Sequence, residues 1–429
     1  MIQEFKIKNF RSFKDEVTLS FEATKDTTFE SSHVVEVSKG VRLLRLALVY
    51  GANASGKSNL LEAFDYLRHF WFQRHADLDE STDTIPFLLD KDTPDMPSVF
   101  NLKFYLGDKK YWYKLSLDRH RVLEEKLYFY KTIQPSLLFS REYKDGQSLI
   151  TFNPAQVKVS KAVADEINIK CLPNMSFFAA RNMVNCSLGL IDEVRDWMRS
   201  HTLPIIAPTT SMFDYAGAQM FKNADLKKYL LDFIHRADFN ITDVNVEKKS
   251  EPMPAEFQNF LLNDSSISKE EKEKLRANPV FDRLDTNFEH TVVNKRGVEK
   301  YVMPNELQSQ GTRRTFGVEA AIYRAKAEEM FLPIDEIESS LHPELIEFIL
   351  EQFLKDAGRS QLLVTTHYDP LLNTVDELLR KDSVWFTEKG KDGKSDLYSL
   401  TEFKGINKIR SFQKSYRNGA FGALPNIQA

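Results

Sequence analysis

The first patterned segment of the chain is its N-terminus, where apolar and polar residues alternate from Ile2 to Phe21. Alternation with a period of two is typical of a strand with one buried face. The pattern predicts two short strands joined by a turn at residues 14–16. From Leu43 to Tyr50 the chain is almost continuously apolar, which predicts a strand buried on both faces of a sheet.

A helical pattern follows this buried strand. Apolar residues recur at helical spacing and predict a helix from about Lys57 to Phe72. Strand, glycine-rich turn and helix stand in the order that a phosphate-binding loop requires. Short alternating runs between Ser98 and Phe152 predict an antiparallel sheet beside this unit.

The segment 154–280 has a different character, because its helical patterns are interrupted by polar links that contain proline. We interpret it as a helical insertion and as an arm for dimer or partner contacts. It has no sustained heptads, so a long coiled-coil arm is not expected. Two paired strands are predicted from Phe281 to Met303, around residues 294–297. The predicted domains are an α/β core in two parts, 1–153 and 281–407, the insertion 154–280, and a tail, 408–429.

Composition narrows the class of protein. A chain of 429 residues is long enough for two or three domains. Hydrophobic residues make up 42% and charged residues 28%, as in soluble globular proteins. The net charge of -4 gives no global excess of cations for phosphate backbones, so nucleic-acid binding stays open only through a local basic groove. Cys171 and Cys186 have no His or Cys near them at metal-ligand spacing, so neither a zinc site nor a disulfide framework is indicated.

The N-terminus carries charges where a signal peptide needs an apolar core, and no stretch of 18 apolar residues occurs. We therefore expect a cytoplasmic protein that makes no membrane contact.

The strongest local signal is residues 51–58, GANASGKS, which match G-x-x-x-x-G-K-[ST]. Two glycines let the backbone wrap a phosphate chain at a helix N-terminus. Lys57 is expected to reach the β- and γ-phosphates, and Ser58 to hold magnesium. The alternative is a chance match in an ordinary turn, against which the flanking strand and helix argue. The expected ATP-binding residues are Gly51, Ala52, Asn53, Ala54, Ser55, Gly56, Lys57, Ser58 and Asn59.

A second signal is the apolar run from Met330, which ends in Asp335 and Glu336. Acids at the carboxyl end of such a strand face the crevice where α/β folds bind ligands. Asp335 is expected to hold magnesium, and Glu336 to orient or deprotonate the attacking water. Polar strand ends without function also occur, so this interpretation depends on the phosphate loop.

Two weaker signals have structural alternatives. His367 follows the apolar run QLLVT, in the strand expected beside the acid-bearing one, where contact with a γ-phosphate is plausible. A lone histidine at a strand end is usually structural. Ser309, Gln310, Gly311 and Thr312 precede a long helical pattern and predict an anion-binding N-terminus, although Ser and Gly also serve as ordinary helix caps.

These four elements, in their order along the chain, resemble the ATPase heads of ABC proteins, especially those of the SMC/RecF/Rad50 branch. The resemblance implies that residues 51–58 are Walker A, 309–312 the signature motif, Asp335 and Glu336 the Walker B pair, and His367 the switch histidine. The opening IKNFRSFKD is also similar to this branch and implies a nucleotide contact for Arg11.

Two departures accompany this resemblance. The signature reads SQGT instead of SGGQ, although its Ser and second Gly are kept. His342 stands where many ABC heads carry an aspartate, so communication between two sites is expected to differ from that in transporters. No Q-loop glutamine is identified.

The whole-chain pattern, with ESSLHPEL, THYDPLL and SYRNGAFGALP, is similar to the stand-alone AAA_15/AAA_21 ATPases of the RloA and AbiLi kind. This resemblance implies ATP and Mg²⁺ as cofactors, with Glu336, Lys57 and His367 as catalytic residues. It also implies a separately encoded effector, a Toprim-type nuclease or a toxin, in anti-phage defence.

A homodimer or higher homo-oligomer through the ATP sites is expected, because Ser309 and Gly311 stand too far along the fold from the loop to complete the same site. The alternative function is a DNA repair or maintenance ATPase like RecF or Rad50, which clamps DNA. That function needs a basic channel, which Arg313 and Arg314 could line. A transporter subunit is disfavoured by the N-terminal strand and the insertion, and the chain carries no evident nuclease constellation.

Overall fold

The computed structural model describes residues 1–237, 240–264 and 268–425. The chain divides into two compact units. Unit 1 comprises Met1–Pro208, Arg324–Ser339 and Ile346–Ala429, and unit 2 comprises Thr209–Tyr323 and Ser340–Leu345.

Unit 1 contains an antiparallel sheet and a short ribbon. The strands of the sheet are β1 Ile2–Lys8, β2 Val17–Ser20, β6 Ser98–Leu106, β7 Lys109–Leu117, β8 Val122–Tyr130, β9 Pro135–Lys144 and β10 Gln147–Phe152. Their order is β10-β9-β8-β7-β6-β1-β2. The ribbon pairs β3 Val34–Ser38 with β4 Val41–Leu44.

Unit 1 also contains the sheet that carries the phosphate loop. Its strands are β5 Leu46–Tyr50, β14 Phe331–Ile334, β15 Gln361–Thr366, β16 Val384–Lys389 and β17 Ser395–Ser399. The order is β14-β15-β5-β16-β17, with only β17 antiparallel to its neighbour. The carboxyl ends of β5, β14 and β15 therefore meet at one edge.

The helices of unit 1 are α1 Glu30–His33, α2 Lys57–Phe70, α3 Lys161–Lys170, α4 Phe177–Arg181, α5 Leu190–Ser200 and α12 Phe412–Arg417. Unit 2 contains α6 Phe213–Lys222, α7 Ala224–Arg236, α8 Ala255–Asn263 and α9 Lys269–Ala277, with the sheet β11 Ile241–Pro252, β12 Val280–Asn294 and β13 Gly297–Pro304. Two helices have residues in both units, α10 Gln310–Ala327 and α11 Pro343–Lys355. Within the described residues, no helix combines the length and the apolar character that a membrane span requires.

Helix α2 packs between the two large sheets of unit 1. The ring of Phe64 lies 4.0 Å from that of Phe5 on β1 and 5.0 Å from that of Phe331 on β14. Phe5 and Phe331 are buried in the same apolar core. Because each aromatic pair contributes about 0.5–1.5 kcal/mol beyond the area it buries, these contacts fix α2 firmly. The start of α2, which carries the phosphate loop, is held at the edge of the parallel sheet as a result.

The predicted core architecture, a P-loop sheet beside an antiparallel lobe, is confirmed. One predicted strand differs, since Leu43–Tyr50 is divided between β4 and β5 at Arg45. The buried guanidinium of Arg45 donates to the backbone oxygens of Ser32 and Phe353. These bonds lie at the break between β4 and β5, and an apolar pattern does not reveal them.

The inserted segment contains helices, as predicted, but not only helices. Helices α3 to α5 belong to unit 1, α6 to α9 belong to unit 2, and strand β11 lies between α7 and α8. Most of β11 is polar and exposed, so its pattern did not predict a strand. It forms because β12 pairs with it along its whole length. The predicted pair of strands around residues 294–297 is observed as β12 and β13.

Candidate functional site

The loop between β5 and α2 is shaped by two glycines. Gly56 has φ +114°, a conformation that residues with a side chain rarely adopt, and an added Cβ would lie 2.6 Å from Ser395 Oγ. At Gly51 an added Cβ would lie 2.4 Å from the hydroxyl oxygens of Ser55 and Thr387. The loop can follow this path only with glycine at both positions.

The first turn of α2 is open to a ligand. Gly56 is its N-cap and offers no side chain to the free backbone N–H groups of the turn. A helix N-terminus with free N–H groups carries partial positive charge and attracts phosphate. Asn59 on this turn donates through Nδ2 to Ser12 Oγ over 2.7 Å, so its side chain anchors the helix to the N-terminal strands.

Lys57 lies inside the loop, with 5% of its surface exposed. Its Nζ donates to the backbone oxygens of Gly51 at 2.8 Å and Ala52 at 3.1 Å. Burial lowers the pKa of Lys57, and the carboxylates of Glu336, Glu338 and Asp335 partly offset this effect. The loop therefore contains a cation that faces the acidic residues beyond β14.

Asp335 and Glu336 directly follow β14 and are linked to β15 by one side chain. Thr365 Oγ1 donates to Asp335 Oδ1 over 2.5 Å and accepts from the Glu336 N–H over 2.9 Å. Glu336 has φ +45°, which is uncommon for a residue with a side chain. Such strain concentrates at functional sites, where the surrounding structure enforces it.

The structure adds a carboxylate that the sequence analysis missed. Glu338 Oε1 lies 2.7 Å from Nδ1 of His367 and 2.7 Å from the backbone nitrogen of the same residue. Glu338 Oε2 is buried and has no hydrogen-bond partner among the described residues. The signal in the sequence was a further acid two positions after Glu336.

Arg11 lies beside α2. Its backbone has φ +50°, and its guanidinium Nη1 is 2.8 Å from Glu62 Oε2, one turn beyond the phosphate loop. Burial raises the pKa of Glu62, and the charge of Arg11 counteracts that rise. Arg11 is therefore held near the start of α2 by an ion pair.

The predicted signature residues lie in unit 2, at the start of α10. Ser309 Oγ accepts from the Thr312 N–H over 3.0 Å and pairs with its hydroxyl over 2.8 Å, so Ser309 caps the helix. At Gly311 an added Cβ would lie 2.8 Å from the backbone oxygen of Ser340. Gln310 is exposed between them. These four residues form one helix N-terminus, apart in the chain from the unit 1 residues described above.

The tail packs beside the loop of unit 1. Tyr416 on α12 is buried and stacks on Phe386, and Arg417 forms an ion pair with Asp369, two residues after His367. A cavity of about 480 Å³ lies between this tail and the loop. Its lining residues are Ala52–Ser55, Thr387–Lys389, Gly419 and Gly422–Pro425.

These groups fit a nucleotide with Mg²⁺. An uncapped helix N-terminus and a buried lysine suit phosphate, and Asp335 and Ser58 offer the oxygen ligands that Mg²⁺ prefers. The buried Oε2 of Glu338 leaves one acceptor for a water that arrives with the substrate.

Comparisons with known proteins agree with this fit. The family model AAA_21, described as "AAA domain, putative AbiEii toxin, Type IV TA system", matches residues 46–373. The matched range includes the phosphate loop, the signature residues, the acidic pair and His367. No curated relative matches the chain.

Solved structures that match the chain include SMC head domains. The SMC head domain from Thermotoga maritima shares 12% identity at a TM-score of 0.40, over 93% of this chain and 98% of that one. An SMC head bound to the C-winged helix domain of ScpA shares 13% identity at a TM-score of 0.39, over 97% of this chain and 99% of the other. An SMC head with an extended coiled coil, bound to the C-terminal domain of ScpA from Pyrococcus furiosus, shares 14% sequence identity at a TM-score of 0.37. That match covers 95% of this chain and 98% of the other.

Proposed function

This chain belongs to the AAA_21 family of AAA-type ATPases, and on that premise we propose that it hydrolyses ATP within a homodimer that closes around two nucleotides. The observation that carries the proposal is the buried Lys57, which lies at an uncapped helix N-terminus and faces the carboxylates beyond β14. Phosphoryl transfer requires positioning and charge compensation more than covalent help, and this arrangement provides both.

The loop residues bind and orient the phosphates. Backbone N–H groups of residues 51–59 surround the β-phosphate, and Lys57 exchanges its contacts with the Gly51 and Ala52 oxygens for phosphate oxygens. Arg11 supplies a second cation from the N-terminal strands. When bound through Ser58 and Asp335, Mg²⁺ compensates phosphate charge.

Glu336 orients and deprotonates the attacking water. Its main chain has an uncommon conformation and donates its N–H to Thr365, which supports a defined main-chain position for this residue directly after β14. His367 follows the neighbouring strand β15 and contacts the γ-phosphate side of the site.

A second copy completes each site with its signature residues. Ser309 caps α10 and Gly311 allows a close backbone approach, so the start of α10 presents N–H groups that suit a phosphate. These residues belong to unit 2, whereas the loop and the acids belong to unit 1. We propose that two copies form a homodimer with two identical, symmetry-related sites.

The test uses Glu336→Gln, which keeps nucleotide binding but removes the base. Light scattering after size exclusion should show twice the monomer mass with ATP and magnesium, and the monomer mass without them. The matched control is Glu351→Gln, an exposed glutamate on α11, which should hydrolyse ATP and stay monomeric on average. Normal hydrolysis by Glu336→Gln would show that another residue is the base, and a mass insensitive to ATP would exclude nucleotide-gated closure.

We further propose that closure controls a separately encoded effector, a nuclease or toxin, in anti-phage defence. The family description, which names a putative toxin and a type IV toxin–antitoxin system, supports this proposal. Co-expression of the neighbouring gene with the wild type or with Lys57→Ala tests it. Growth arrest that depends on Lys57 is expected. Stimulation of ATP hydrolysis by DNA in the absence of any effector would instead favour a DNA-clamping ATPase.

A further inference from the structure

Glu338 ties the segment after β14 to the end of β15. Its Oε1 lies 2.7 Å from the backbone nitrogen of His367 and 2.7 Å from ring Nδ1 of the same residue. Only 12% of the Glu338 side chain is exposed. One carboxylate oxygen therefore holds both the main chain and the imidazole of His367.

The chemistry of these groups fixes the direction of the ring bond. An ionised carboxylate only accepts hydrogen bonds, so Nδ1 of His367 must donate. The proton of a neutral imidazole then resides on Nδ1, and Nε2 is left on the opposite edge of the ring. Because 53% of the His367 side chain is exposed, the ring is accessible to a ligand.

The location of Glu338 connects this pair with the nucleotide site. Its charge, like that of Glu336, acts on Lys57 inside the phosphate loop. Its second oxygen is buried without a partner among the described residues, which costs stability unless a ligand or water supplies a donor.

We propose that Glu338 is a positioning residue for ATP hydrolysis, which fixes His367 with its proton on Nδ1 and presents Nε2 to the nucleotide. The proposal rests on the ATPase function proposed above. Through Nε2 the ring contacts the attacking water or the γ-phosphate, and either contact is lost when the ring turns. A side chain that is half exposed would otherwise sample several rotamers.

A purely structural clasp is the competing explanation. The bond to the His367 backbone alone would serve that purpose, whereas the bond to Nδ1 orients a side chain. The two explanations differ in one respect. A positioning residue has no effect once His367 is removed, while a structural clasp affects catalysis whether or not the ring is present.

Steady-state ATP hydrolysis by four variants distinguishes a positioning role of Glu338 from a purely structural one. Glu338→Leu should lower kcat roughly ten- to hundredfold and change KM much less, because it releases the ring while Lys57 and the backbone N–H groups of the phosphate loop remain present. Glu338→Gln should recover most of this loss, since its amide oxygen still accepts from Nδ1. In a His367→Asn background, Glu338→Leu should cause no further loss. Multiplied losses in the double variant, or full activity of Glu338→Leu, would overturn the proposal.

Imidazole NMR gives a readout that does not depend on turnover. In protein labelled with ¹⁵N-histidine, a resonance absent from His367→Asn should show a protonated Nδ1 in the wild type and a mixture of tautomers in Glu338→Leu. A proton only on Nε2 in the wild type would disprove the assignment even if the chain hydrolysed no ATP. If Nδ1 were protonated but the protein hydrolysed no ATP, the contact between Glu338 and His367 would be confirmed and the proposed ATPase function would be wrong.

Discussion

The hydroxyl of Thr365 donates a hydrogen bond to Oδ1 of Asp335 over 2.5 Å. The hydroxyl oxygen of Thr365 also accepts from the backbone N–H of Glu336 over 2.9 Å. Thr365 is fully buried, so one side chain on β15 fixes both acidic residues that follow β14. Partners of this kind orient a ligand's oxygen and are often as important as the ligand itself.

We predict that Thr365→Val weakens magnesium-dependent hydrolysis roughly ten- to hundredfold, because Asp335 loses its donor and Glu336 its acceptor. The measurement is the ATP hydrolysis rate at increasing magnesium concentrations. Thr365→Ser is the matched control, since it keeps the hydroxyl and should retain the wild-type magnesium requirement. An unchanged magnesium dependence in Thr365→Val would show that this hydroxyl does not support the ion.

Ser309→Asp tests whether the signature residues act on a second copy. Aspartate caps a helix as well as serine does, so α10 should stay intact while its charge repels the γ-phosphate. We expect Ser309→Asp and Lys57→Ala each to be inactive. Mixed in equal amounts, they should recover about a quarter of wild-type activity, because half of the dimers then contain one intact site.

Ser309→Asn is the control, because it keeps the cap without the charge. It should lose much less activity than Ser309→Asp. If the mixture of Ser309→Asp and Lys57→Ala showed no ATP hydrolysis although the two variants formed mixed dimers, the signature residues would have to act within their own chain.

Arg11→Ala should weaken ATP binding. The ion pair with Glu62 holds the guanidinium near the start of α2, and both side chains are about one-third exposed. Loss of a contact at this exposure costs about 0.2–1 kcal/mol and should raise the dissociation constant by up to about fivefold. Titration with a fluorescent ATP analogue measures it. Lys91→Ala, an exposed lysine, serves as the control. Equal affinity in Arg11→Ala and the control would contradict a nucleotide contact for Arg11.

Arg141→Met should destabilise unit 1. Arg141 and Glu125 are fully buried and lie 3.1 Å apart, and Tyr113 also donates to Glu125. Removing one partner of a buried ion pair costs about 3–5 kcal/mol, because the other charge is left uncompensated. Urea unfolding measures the free energy of unfolding. A decrease in the free energy of unfolding below about 1 kcal/mol, as expected for a surface ion pair, would show that the pair of Arg141 and Glu125 contributes little to stability.

The stability of the Arg141→Met variant should also depend on pH. Burial raises the pKa of Glu125, and Arg141 counteracts that rise. Between its unfolded and folded pKa values the folded protein binds more protons, so stability falls as pH increases through this window. Without Arg141 the window extends upward, and Arg141→Met should lose stability steeply towards alkaline pH. Adding Glu125→Gln should remove this slope, and a slope that persisted would have to arise from another group.

Local features of the site could be predicted because they depend on neighbouring residues. Gly51, Gly56 and Lys57 act through the backbone of one turn, so their spacing identifies the loop. The acids after β14 were recognisable for the same reason, since an apolar strand with polar residues at its end is a continuous signal. The break at Arg45 was not recognisable, because the carbonyl groups that bind its guanidinium come from distant segments.

The exact register between strands that are distant in the chain was beyond the sequence. Parallel register places Ile334 opposite Val364, and this register brings Thr365 to Asp335 and His367 to Glu338. Strand β11 is a related case, because its polar residues pair with β12 although their pattern predicts no strand.

The sequence by itself determined the phosphate loop, the acidic strand end and the two kinds of sheet, because glycine geometry and the period of apolar residues act over a few residues. Only the tertiary structure decided which side chains support the acids and the histidine. Thr365 and Glu338 acquire their roles through hydrogen bonds between adjacent strand ends, whose alignment depends on packing across the whole of unit 1.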